Sequence, residues 1–99
     1  MIAFNRTAAI APGRTASAIS FAHDVAAYLK KSYDLDLEVL LPIGGNPSRI
    51  AWSTRYKDMA SLDAVNTKML SDKHYWDMIH KNSDNFLAGS VRDAFWRTV

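Results

Sequence analysis

The sequence has no cysteine. Disulfides, thiolate nucleophiles and thiolate metal sites are therefore excluded, a composition that fits a reducing compartment. No apolar run approaches the roughly 20 residues a helix needs to cross a bilayer. Met1 to Ala11 carries one arginine in an alternating pattern, without the basic start and unbroken apolar stretch of a signal peptide. The expectation is a cytoplasmic protein with no membrane partner. Charge of one sign is also scarce: 12 basic against 10 acidic side chains leave a net +2. That is too little to argue for nucleic acid, and no aromatic-basic motif of the RNA-recognition type accompanies it. Glycine (4) and proline (3) are few, so each reads as punctuation.

What is present fits one globular domain over residues 1–99. The chain is 48% hydrophobic and 22% charged, a composition that folds around a core. Ile2 to Ala9 alternates as a strand, with Ile2, Phe4 and Ala8 on one side and Arg6 among them. Pro12-Gly13 breaks it. A helical pattern follows to Tyr33, through Ile19, Ala22, His23 and Ala26, with Lys30 and Lys31 placed to complement the helix dipole. Leu35 to Ile43 reads as the clearest strand, with Leu35, Leu37, Val39, Leu41 and Ile43 as its apolar face. Gly44 to Ser48 is a turn, and Arg49 to Tyr56 is the return strand of a hairpin. Asp58 or Ser61 opens a helix with a stripe of Leu62, Val65, Met69 and Leu70. Ser71-Asp72 predicts a break and a new N-cap, followed by a helix through Tyr75, Trp76, Ile79 and as far as Phe86, ended by Gly89. Val91 to Thr98 is the last strand.

This order is β-α-β-β-α-β, the ferredoxin-like split βαβ pattern. Right-handed crossovers put the first and third strands in the centre of a four-stranded antiparallel sheet, with the helices on one face. The second faces of the strands are not cleanly polar: Ala3, Ala9, Leu40, Ala51, Ala94 and Trp96 fall there. A semi-apolar second face calls for a partner, and a second copy of the same chain is the simplest one. A homodimer, open to higher assembly, is expected.

The segments Pro12-Gly13-Arg14, Pro42 to Trp52, Asp72 to Trp76 and Gly89 to Arg97 resemble bacterial members of the dimeric α+β barrel superfamily, which includes NIPSNAP-like proteins and antibiotic biosynthesis monooxygenases. The resemblance spans nearly the whole chain. It implies two protomers packed sheet against sheet, and a cavity between each sheet and its own helices that takes small organic ligands in some relatives. Members include cofactor-free monooxygenases, muconolactone isomerase-like and haem-degrading enzymes, and proteins of no known activity. No catalytic set of those enzymes maps onto this sequence position by position, so no role is carried over.

The residues themselves supply weak candidates. The histidines, His23, His74 and His80, lack metal-ligand spacing, so no metal site is predicted; no cofactor is predicted either. His23, on or near the first helix's apolar stripe, is the candidate acid or base, against a packed histidine bonded to a carbonyl. Arg6 interrupts an apolar face of a central strand and needs an acceptor. That acceptor is either Asp93 on the neighbouring strand or a ligand's carboxylate or enolate oxygen. Trp52, Trp76 and Tyr56 are the candidate ligand-binding aromatics, against a plain core role. Asp34, Asp36 and Glu38 read as a solvated edge-strand face. Two functions follow: a small protein holding an apolar or aromatic ligand in its cavity, or a cofactor-independent monooxygenase or isomerase on a small aromatic or carbonyl compound.

Overall fold

A computed structural model describes all residues, 1–99. The elements are β1 (Ile2–Ala9), α1 (Thr15–Tyr33), β2 (Glu38–Leu40), β3 (Arg49–Tyr56), α2 (Met59–Leu70), α3 (Lys73–Lys81), a 3₁₀ turn (Ser83–Asn85) and β4 (Arg92–Arg97). The strands form one antiparallel sheet in the order β2-β3-β1-β4. The first and third strands are central, as the crossover rule requires.

The strand alternation sets which side chains meet the helices. Ile50, Trp52, Thr54 and Tyr56 of β3 are all buried, as are Ile2 and Ala8 of β1. From α1 they meet Ala18, Phe21, Ala22, Val25 and Leu29, a buried stripe at helical spacing. Two of those five are alanines, which lets the helix backbone approach the sheet closely. Asp34 ends α1 in a left-handed conformation at φ 54°, and its N–H donates back to the Lys30 carbonyl.

The break between α2 and α3 follows from side-chain capping. Asp58 accepts from the Ser61 N–H at 2.8 Å, and Asp72 accepts from the Tyr75 N–H at 3.0 Å. Each carboxylate takes up an orphan donor of a first turn, so the two aspartates set where the helices start.

Three boundaries differ from the sequence reading. The strand expected over Leu35 to Ile43 is only Glu38–Leu40. Its pairing stops where Leu40 faces Ala51, two residues before Pro42, which has no N–H to continue the ladder. Leu41 and Ile43 therefore lie outside the ladder and stand exposed. Asp34 and Asp36 precede the strand; each accepts from Lys30 Nζ at 2.9 Å. The last helix ends at Lys81, short of Phe86, which lies in extended backbone and bridges to Ile10. Leu70 leaves its predicted stripe and is exposed.

On the other face of the sheet no element packs. The register aligns Leu40, Ala51, Thr7 and Arg92 in one row, Glu38, Ser53, Asn5 and Ala94 in the next, and Arg55, Ala3 and Trp96 in a third. Trp96 is 63% exposed and Leu40 44%. At one edge the chain's two ends meet, the Thr98 N–H donating to the Met1 carbonyl at 2.9 Å.

Candidate ligand cavity

The helices do not cover the sheet evenly. Between the sheet, α1, α3 and the segment from Ser83 to Val91 lies a cavity of about 630 Å³. Of its 23 lining residues, 17 are hydrophobic, which makes it an apolar pocket of small-molecule size. β1 contributes Phe4, Arg6 and Ala8; β3 contributes Trp52, Thr54 and Tyr56; α3 contributes Tyr75, Trp76 and Ile79.

Four of the five sequence-selected residues are thereby brought together: Arg6, Trp52, Tyr56 and Trp76 all line this cavity. Arg6 and Trp52 are direct cross-strand partners, so they share a face by register. His23 is the exception and its expected place is corrected. It is exposed on α1 and lines no part of the cavity. The buried stripe of α1 runs through positions 18, 21, 22, 25 and 29, and residue 23 sits one helical step, about 100°, past its edge. His74 and His80 are exposed on α3, where His74 stacks on Tyr28 and His80 on Trp76.

Arg6 has the acceptor its setting demands. Its Nε and Nη2 donate to Asp93 Oδ1 and Oδ2 at 2.7 and 3.0 Å, a side-on bidentate pair. The two side chains are 39% and 32% exposed. The bond to Asp93 holds the guanidinium pKa above its ordinary value. The plane also lies over Phe4, 5.6 Å from the ring centroid.

Two tyrosines stand beside this arginine. Tyr56 and Tyr75 are each more than nine-tenths buried, and of the two hydroxyls only that of Tyr75 has a side-chain partner, the Arg6 guanidinium. Burial pushes the Tyr56 phenol up, against the lowering charge of Arg6. Tyr75 lies near enough to Arg6 to act on its guanidinium. The Trp52 Nε1–H is the one buried side-chain polar atom closed off from water with no partner, and its indole packs edge-on against Phe86 with centroids 5.9 Å apart.

The sequence reading missed Tyr75 as a site residue. Its helical phase places it on the buried side of α3, but only the fold shows that side facing Arg6. A second cluster was also missed. Asp72 accepts from the Tyr28 hydroxyl at 2.6 Å and the Tyr33 hydroxyl at 2.5 Å, tying the start of α3 to the end of α1 beside the cavity. The Tyr28 and Tyr33 hydroxyls, with the Tyr75 N–H, lower the Asp72 pKa to about 2. No three His, Asp or Glu side chains converge in a metal-binding arrangement, and no helix is long and apolar enough to cross a membrane.

Sheet order and helix placement define a ferredoxin-like α+β protein. Solved structures of the same fold include an uncharacterised NIPSNAP domain protein from Burkholderia xenovorans, at TM-score 0.85 and 14% identity, covering 100% of this chain and 95% of that one. A NIPSNAP family protein of unknown function from Agrobacterium tumefaciens aligns at TM-score 0.79 and 13% identity, over 97% of this chain and 86% of that one. A Deinococcus radiodurans protein with the provisional description antibiotic biosynthesis monooxygenase aligns at TM-score 0.74 and 9% identity, over 100% and 93%. At such identities the likeness is one of fold. No family model and no curated protein matches the chain.

Proposed function

We propose that this chain binds a small, largely apolar or aromatic molecule in the cavity between its sheet and helices. The observation that carries the reading is the cavity itself: about 630 Å³, with 17 of 23 lining residues hydrophobic. Protein interiors are packed to crystal density with few voids larger than a water. A chain of 99 residues that keeps so large an apolar space open gives up packing energy that a guest molecule restores. Trp76, 36% exposed at the wall, gives an arriving aromatic a face to stack on. Native mass spectrometry of the freshly purified protein tests the reading: a fixed added mass, lost on denaturation, is expected. Failure both to retain a guest and to bind any flat apolar probe by calorimetry overturns it.

Binding is favoured over turnover because His23, the residue suited to act as a base, sits outside the cavity. A cofactor-independent monooxygenase or isomerase, the second reading, draws on the description of the Deinococcus structure and on the charged Arg6 at the cavity wall. We also propose that a second copy of the chain packs on the open sheet face, supported by the exposed Trp96 and Leu40 among the small side chains of Ala3, Ala51 and Ala94.

A further inference from the structure

Resting on the ligand-binding reading, the geometry points to the class of ligand: we propose that Tyr56, Tyr75 and Arg6 form a polar floor that holds the carbonyl oxygen of a neutral guest. The case starts from hydrogen bonds left unmade. Buried polar groups are nearly always paired, because leaving one unpaired is costly. Here the Tyr56 hydroxyl, on a side chain 7% exposed, goes unbonded, and the Tyr75 hydroxyl, on one 5% exposed, has only the Arg6 guanidinium beside it, a donor that leaves the Tyr75 O–H proton free. Trp52 Nε1 is the only buried side-chain polar atom both shut off from water and unpartnered. The Tyr56 hydroxyl, equally unbonded, therefore still touches open space. The Arg6 guanidinium adds N–H donors beside the two tyrosines, its Nε and Nη2 each giving one to Asp93.

Charge then decides between kinds of acceptor. Arg6 brings one positive charge and Asp93 cancels it across a bidentate pair. The only other charged side chain lining the cavity is Asp84. A carboxylate guest would enter a site with no net positive charge, and would have to lose its hydration without a free partner cation. A ketone, ester or amide oxygen loses far less on leaving water and meets the same donors. With the Tyr56 phenol held in its protonated form by burial, its O–H stays a donor at neutral pH and above. The site thus selects an acceptor that carries no charge.

Three probes of one shape separate the possibilities: fluorenone, which carries the carbonyl; fluorene, which lacks it; and fluorene carboxylate, which carries an anion. By calorimetry, fluorenone is expected to bind about three- to tenfold tighter than fluorene, the range of one neutral hydrogen bond, and tighter than the carboxylate. Tyr75→Phe, which removes a hydroxyl and keeps the ring, is expected to erase most of the fluorenone advantage over fluorene. In the unmutated protein, an infrared carbonyl stretch of bound fluorenone shifted down from its value in hydrocarbon solvent gives the same answer without relying on a variant's fold. Equal binding of fluorenone and fluorene, or a preference for the carboxylate, overturns the carbonyl floor while the cavity reading stands. Binding of none of the three overturns the carbonyl floor, and the cavity reading with it where the purified protein also retains no guest.

Discussion

Arg6 shows how much of one residue's environment a sequence can carry. An arginine on an otherwise apolar strand face needs an acceptor, and antiparallel register offered Asp93 on the next strand as one of two choices. The structure pairs them. Replacing Asp93 with Ala should cost about 1 kcal/mol, the scale of a bidentate pair that water partly screens, and chemical denaturation would read it. The Asp72 cluster was not legible, because Tyr28 and Tyr33 lie 44 and 39 residues away and meet it only after the helices dock. Its pH dependence follows from the shift. Asp72 titrates at about 2 in the fold against an ordinary 3.8, so the native state favours the ionised form. That contribution is complete above about pH 4–5 and is lost as pH falls through 2. Tyr33, raised from 10.0 to about 12 by the same hydrogen bond, contributes in the opposite sense: its share is present below pH 10 and lost as pH rises toward 12. Asp72→Asn should flatten the acid limb of a stability-versus-pH curve between pH 4 and 2. An unchanged limb would mean the acid sensitivity resides elsewhere.

Elements were legible where local chemistry specifies them. Asp58 and Asp72 each cap a helix through their own side chains, and that signal lies within four residues of sequence. The β2 ending was not legible, since the alternation of Leu37, Val39, Leu41 and Ile43 continues past Leu40, where the pairing with β3 stops. Periodicity records what a strand could bury, whereas pairing depends on the neighbour and on Pro42. His23 failed for a related reason. The apolar spacing on an alanine-rich helix leaves its phase loose by one residue, and one residue is 100° of rotation. The attachment of α2 is thin. Leu62 is its one buried side chain, with Val65 and Met69 half-buried beside it. Leu62→Ala should cost about 2–4 kcal/mol and raise amide exchange across Met59–Leu70 more than across α1. Protection lost evenly through the protein would show that α2 does not open by itself.

At the scale of the whole molecule, the topology, the open sheet face and the cavity were readable, and the polar floor was not. The topology followed from the order of elements and crossover handedness, and the unpacked sheet face from the second-face residues of each strand. The cavity was expected from the resemblance to the α+β barrels, but its polar floor was not, because it joins residues of β1, β3 and α3. The proposed homodimer makes a direct demand on the open face. Trp96→Lys places a charge where a second sheet would lie, and should weaken self-association at least about tenfold, the scale of losing a buried aromatic anchor. Sedimentation velocity over a concentration series reads this. A chain that is monomeric throughout would remove the dimer, and a variant that associates as strongly as the original would place its interface elsewhere.

The hydrogen bond from Thr98 to Met1 closes the molecule's outline. With its two ends in contact, the order in which the strands are synthesised is separable from the order in which they lie. A short linker joining the ends, with new termini cut at the exposed Gly44-Gly45 segment, would begin translation with β3 and finish with β2. Every strand pairing of the sheet would survive, while the only covalent hairpin would be exchanged for a pairing between the two extremities of the chain.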